Sequence, residues 1–133
     1  LIERDSLAYE AVEVGIKYKN EPASNLHEYY GDMSPVHSLN NLAVVVWAFL
    51  SFQDSFDEAI GETICCGWDT DCTGATVGGL LGLDMGAIPE SWTSPWQGRV
   101  QTAIAGVGEL DLDSLVKRTC TLVDKFSSLA DLG

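Results

Sequence analysis

Residues 39 to 52, Leu39-Asn40-Asn41-Leu42-Ala43-Val44-Val45-Val46-Trp47-Ala48-Phe49-Leu50-Ser51-Phe52, are apolar on nearly every side after the Asn pair. The run is too long for an ordinary strand and reads as a helix, although its valines also suit β-structure. A helix that is apolar all round has to be buried, so the chain must pack other elements around its whole circumference.

The flanking sequence supplies helices for that task. Residues 3 to 19 place Leu7, Ala11, Val14 and Tyr18 at helical spacing, with Glu3, Glu10, Glu13 and Lys17 on other faces, and Asn20-Glu21-Pro22 ends the pattern. Residues 23 to 35 are polar and aromatic, a loop or a short helix with a turn at Gly31-Asp32. Ser55-Phe56-Asp57-Glu58 has the capping-box form and predicts a helix with Phe56, Ala59, Ile60, Thr63 and Ile64 inward, closing near Gly67. Residues 73 to 86 carry Gly74, Ala75, Gly78, Gly79, Gly82 and Gly86 between leucines. Each helical glycine costs about 1 kcal/mol against alanine, so this usage suggests close approach of another backbone. A turn and short helical segment at Ile88-Pro89-Glu90-Ser91-Trp92, a helix over 96 to 105 and a last helix over 113 to 129 complete the reading. The last one sets Leu115, Val116, Thr119, Leu122, Val123 and Phe126 on one side. No β-alternation competes, so the expected class is all-α, and 133 residues with 46% hydrophobic content make one domain the default.

Seven basic against twenty acidic residues leave a net charge of -13, which repels phosphate backbones and anionic lipid, so nucleic acid is not an expected partner. No apolar run reaches the roughly 18 residues of a membrane span, and Leu1-Ile2-Glu3-Arg4-Asp5 has no signal-peptide character. The cysteines Cys65, Cys66, Cys72 and Cys120 form no C-x-x-C pair and no zinc spacing with His27 or His37. Cys65 and Cys120 lie in apolar helical surroundings, where a free cysteine acts as a small hydrophobe, and a reduced cytoplasmic protein is expected. The chain lacks an initiator Met and begins one residue before an amphipathic pattern, so it is expected to be part of something longer.

The chemistry concentrates in Gly67-Trp68-Asp69-Thr70-Asp71-Cys72-Thr73-Gly74-Ala75-Thr76-Val77-Gly78. Carboxylates at i and i+2 point about 200° apart on a helix, so Asp69 and Asp71 converge only from the turn leading into the glycine-rich helix. Converging oxygens there suit a hard cation such as Mg²⁺, Ca²⁺ or Mn²⁺, and the helix N-terminus adds donors for an anion. On spacing alone, Asp71 or Thr73 serving as a simple helix cap is the stronger reading. An EF-hand fails, because the twelfth position from Asp69 is Leu80 where the loop needs Glu.

The string from Asp69 to Gly78, followed by Leu80-Leu81-Gly82 and by Ile88-Pro89 with Trp92, resembles the C-terminal signature of the ADP-ribosylglycohydrolase family, and the likeness reaches upstream to Asn40-Asn41-Leu42-Ala43. The resemblance implies an orthogonal all-α fold. It also implies hydrolysis of the N- or O-glycosidic bond joining ADP-ribose to an acceptor, a protein or a small molecule, with a pair of Mg²⁺ or Mn²⁺ ions. By it, Asp69 and Asp71 are catalytic metal ligands, the ions polarising ribose hydroxyls and positioning or activating water. Many members place a Thr ligand directly after the second Asp; Cys72 stands there in this chain, with Thr73 the fallback third ligand. The family's other ligands come from a Thr-Asp-Asp run near the start of a domain roughly twice this long, and this chain has no Asp-Asp pair.

The expectation is therefore a C-terminal half that carries half a metal site, binds metal weakly or not at all, and is inactive alone. A noncatalytic ADP-ribose-binding or structural descendant is the alternative. If missing elements normally cover residues 42 to 50, a homodimer or larger oligomer is expected. His37, Asn40 and Asn41 either line the cleft or tie down a helix start, with the second role favoured. Trp47, Trp68, Trp92 and Trp96 suit core packing more than adenine stacking.

Overall fold

The computed structural model describes residues 2–130 of the chain. The class is all-α, with seven α-helices and one short hairpin among those residues. The chain divides into two compact units, Leu1–Ile88 and Pro89–Gly133.

The first unit holds five helices: α1 (Leu7–Lys17), α2 (Ser24–Tyr30), α3 (Ser38–Ser51), α4 (Phe56–Cys66) and α5 (Thr70–Asp84). The apolar run forms α3, and α1, α2, α4 and α5 all pack against it. Ala43, Val44, Trp47 and Ala48 of α3 are buried with Leu26, Ala59, Val77 and Leu81 from the surrounding helices. Each large side chain removed from water in this way contributes about 1.5–3 kcal/mol. Burial of Trp47 leaves a polar N–H to satisfy, and its indole Nε1 donates to the carbonyl of Glu21, 2.9 Å away. Around that core Leu42, Val46, Phe49 and Leu50 of α3 remain partly exposed.

Local signals set the helix ends. Ser6 caps α1 by accepting from the Tyr9 N–H, and Ser55 caps α4 by accepting from the Glu58 N–H. Residues 23 to 35 resolve as the short helix α2, stopped by Gly31 at φ 52°. The inward face of α1 is Ala11, Val14 and Gly15, while Leu7, expected inward, is exposed. On α4 the buried set is Phe56, Ala59, Thr63 and Cys66, and Ile64 is exposed.

The close backbone approach expected at the glycine-rich helix occurs elsewhere. A Cβ on Gly15 would fall 2.8 Å from the carbonyl oxygen of Ala43 and 2.6 Å from the Val46 Cβ, so this glycine lets α1 lie against α3. In α5, Gly74 and Gly78 face side chains of α4 (Ile64, and Ile60 with Phe56), and Gly79 faces open space.

The second unit contains α6 (Glu90–Thr93), a 3₁₀ turn (Ser94–Trp96), β1 (Arg99–Gln101), β2 (Glu109–Asp111) and α7 (Leu112–Ala130). The helix expected over 96 to 105 is not formed. Gln97 at φ 51° and Gly98 at φ 68° turn the chain instead, and β1 pairs antiparallel with β2, Val100 opposite Leu110. Three-residue strands are too short to show alternation, and their pairing partner lies outside any helical window. Arg99 forms an exposed ion pair with Glu109. Trp92 and Trp96, expected to pack in a core, are 37% and 47% exposed. On α7 the apolar side chains Val116, Leu122, Val123 and Phe126 are exposed. No helix among the described residues is long and apolar enough to cross a membrane.

Candidate metal centre

The turn between α4 and α5 is built from two consecutive residues in the left-handed region, Gly67 at φ 84° and Trp68 at φ 60°. Glycine adopts that conformation freely; Trp68 needs its surroundings to hold it there. The His27 ring from α2 packs on Trp68 with centroids 4.2 Å apart, and the Tyr30 ring meets it edge-on at 6.1 Å. His27 Nε2 also donates to the Cys66 carbonyl at 2.7 Å, an acceptor left free where α4 ends. The turn is thus anchored from α2.

Asp69 follows as the N-cap residue of α5, at φ -89° and ψ 70°. Its backbone is held on both sides. The N–H donates to Asn41 Oδ1 of α3 at 3.3 Å, and the carbonyl accepts from the Thr73 N–H at 2.9 Å and the Thr73 hydroxyl at 3.0 Å. Because Asp69 is not helical, its side chain escapes the divergence of an i, i+2 helical pair. Asp71 and Cys72 project from the first turn of α5, which begins at Thr70, three residues earlier than the glycine pattern suggested. Donor atoms of Asp69, Asp71 and Cys72 all lie within 4.8 Å of one another.

Electrostatics in the cluster follow from this crowding. The Asp71 carboxyl sits below its ordinary value because the Asp69 carboxyl hydrogen-bonds to it and the backbone N–H groups of Cys72 and Asp71 point at it. The Cys72 thiol is raised, first by its hydrogen bond to Asp69 and then by the charges of Asp69 and Asp71. Thr73, the fallback third donor, is 1% exposed, and its hydroxyl is bonded to the Asp69 carbonyl. The group standing with the two carboxylates is the Cys72 thiol.

A cleft of about 200 Å³ opens beside the cluster, lined from α3 by Ser38, Asn41, Leu42 and Val45 and from α5 by Cys72, Thr73 and Thr76. Of the three polar residues at the start of α3, Asn41 reaches this cleft. His37 caps α3 through Nδ1, which accepts from the Leu39 N–H, and the buried Asn40 bonds to the Ser34 carbonyl and the Asn41 N–H. Trp47 and Trp68 pack within the first unit. The role of His27 was not legible in the sequence, since nothing near it in the chain indicates that it reaches Cys66 and Trp68.

Two carboxylates and a thiol at this separation fit one flank of a divalent cation and leave the other flank open, whereas Mg²⁺ requires six ligands. Neither the comparison with curated proteins nor that with solved structures gives a match. The family model described as ADP-ribosylglycohydrolase matches residues 4–127, which is nearly the whole chain, and the acidic turn before α5 lies inside that match. The chain belongs to the ADP-ribosylglycohydrolase family.

Proposed function

We propose that this chain forms the C-terminal part of a metal-dependent hydrolase that cleaves the glycosidic bond between ADP-ribose and an acceptor. The observation that carries the reading is the convergence of Asp69, Asp71 and Cys72, the last of which lines a cleft, in a chain of this family. Asp69 and Asp71 would hold Mg²⁺ or Mn²⁺; Thr73, the fallback third donor, is 1% exposed, and the Cys72 thiol is the third group beside the two carboxylates. A cation held there supplies Lewis-acid polarisation of the ribose hydroxyls and of water. Leu42 and Val45 give the cleft an apolar wall that excludes water from a bound sugar, and Ser38 offers it a hydroxyl. The four unpaired cysteines support a reducing compartment, the cytoplasm.

With one flank of donors in this chain, we propose weak metal binding and no turnover until a second set of carboxylates is supplied. The test joins the chain to a family N-terminal half bearing a Thr-Asp-Asp run and assays release of ADP-ribose with Mg²⁺ or Mn²⁺. Activity in the joined protein that Asp69→Ala or Asp71→Ala removes, with helical content unchanged, supports the enzyme. The second reading is a noncatalytic ADP-ribose-binding or structural protein derived from the same fold, since a fold does not fix a function. A joined protein that folds and binds ADP-ribose yet hydrolyses no acceptor linkage selects that second reading.

A further inference from the structure

We infer that Asn41 is the positioning residue of this centre, acting on the cation through Asp69 without touching it. The inference rests on the metal-centre reading above and extends it to the residue that places the first ligand.

Asn41 is a buried carboxamide, 9% exposed, at the start of α3. Both ends of it are used. Nδ2 donates to the carbonyls of Pro35 and His37, each at 2.8 Å, which ties the amide to the loop that enters α3. Those two bonds identify the amide nitrogen and leave Oδ1 as the acceptor turned toward α5. There it receives the Asp69 N–H, 28 residues away in sequence.

The consequence is geometric. Asp69 is the one member of the cluster outside the helix, so α5 by itself does not determine where its carboxylate stands. Its carbonyl is held by Thr73 and its N–H by Asn41, which together fix the peptide units on both sides of Asp69. Without Oδ1 the Asp69 N–H loses its acceptor, and Asp69 keeps only the bonds that its carbonyl accepts from Thr73. Outer partners that orient a ligand typically change metal affinity about 10–100-fold when removed. The contact with the loop before α3 also makes Asn41 the link between the cleft wall and the acidic turn, since it lines the cleft together with Cys72.

The experiment titrates Mn²⁺ into ¹⁵N-labelled full chain and follows paramagnetic broadening of amide signals, which reads weak binding and locates it. Wild type, Asn41→Ala, the core control Val44→Ala and the double variant Asp69→Ala/Asp71→Ala are compared, with hydrogen exchange of the Asp69 amide as a second readout. Asn41→Ala is expected to raise the Mn²⁺ dissociation constant about tenfold or more and to speed exchange at Asp69. Val44→Ala lowers the melting temperature and leaves both readouts at wild type, which a merely structural role for Asn41 would match. Should the alanine variant not fold, Asn41→Ser, whose hydroxyl is too short to reach Asp69, carries the same expectation. Wild-type binding centred on Asp69 and Asp71 with Asn41→Ala within twofold of it overturns the inference and leaves the metal-centre reading intact. Broadening that the double variant leaves unchanged overturns both.

Discussion

His27 Nε2 lies 2.7 Å from the carbonyl oxygen of Cys66, so a side chain of α2 closes the C-terminus of α4 immediately before the acidic turn. Removing it with His27→Ala takes away that hydrogen bond, about 1 kcal/mol, and the packing on Trp68, about 0.5–1.5 kcal/mol. Urea denaturation should therefore show a loss of about 1.5–2.5 kcal/mol. Trp68 emission should shift to the red before the global transition. An unchanged midpoint would mean the turn holds itself.

Glycine substitutions should separate sharply by site. Gly15→Ala puts a methyl 2.8 Å from the Ala43 carbonyl, which cannot move without shifting α3. It should cost about 1–3 kcal/mol or more. Gly79→Ala lies within α5 with nothing within 4 Å of the new methyl and should stabilise by about 0.5–1 kcal/mol. Thermal melts of the two variants give the comparison, and equal effects would contradict the packing of α1 on α3.

Thiol labelling should sort the four cysteines into three rates. Cys65, Cys72 and Cys120 are exposed and Cys66 is buried. Cys65 and Cys120 should alkylate first, Cys72 more slowly because neighbouring carboxylates oppose its thiolate, and Cys66 only on unfolding. Cd²⁺, which favours thiolate, should protect Cys72 and leave Cys120 reactive if Cys72 is the third donor of the centre. Peptide mass spectrometry after timed alkylation reads each site, and equal protection of Cys72 and Cys120 would count against that donor set.

Alkaline pH should destabilise the fold in a defined window. Burial pushes the Cys66 thiol up from 9.0 to about 11. Burial also pushes the Tyr30 phenol from 10.0 to about 12, helped by Tyr29 and Glu10. In both groups the folded chain keeps a proton that the unfolded chain releases, so stability is complete below about pH 9 and falls as pH rises toward about 11. Cys66→Ala removes the earlier part of that fall. Its melting temperature should decline less than that of wild type between pH 9 and pH 10, and parallel curves would sink the assignment to Cys66.

Elements whose causes are local are legible in the order of residues alone. The apolar run of α3 needs burial wherever it stands, Ser55 with Glu58 starts α4 through bonds three residues apart, and the acidic turn is contiguous from Asp69 to Cys72. What joins these elements is not local and follows from how the helices pack. The bonds from Asn41 to Asp69 and from His27 to Cys66 span 28 and 39 residues. Cys65 and Cys66 differ by one position, about 100° around a helix, and which of them is buried depends on the angle at which α4 meets its neighbours. The same holds for Gly15, whose missing side chain matters only because α3 crosses there. Residues 99 to 101 become a strand only through pairing with 109 to 111. Periodicity states that a face will be covered, whereas the partner that covers it, and the polar groups that partner must satisfy, depend on how the helices cross.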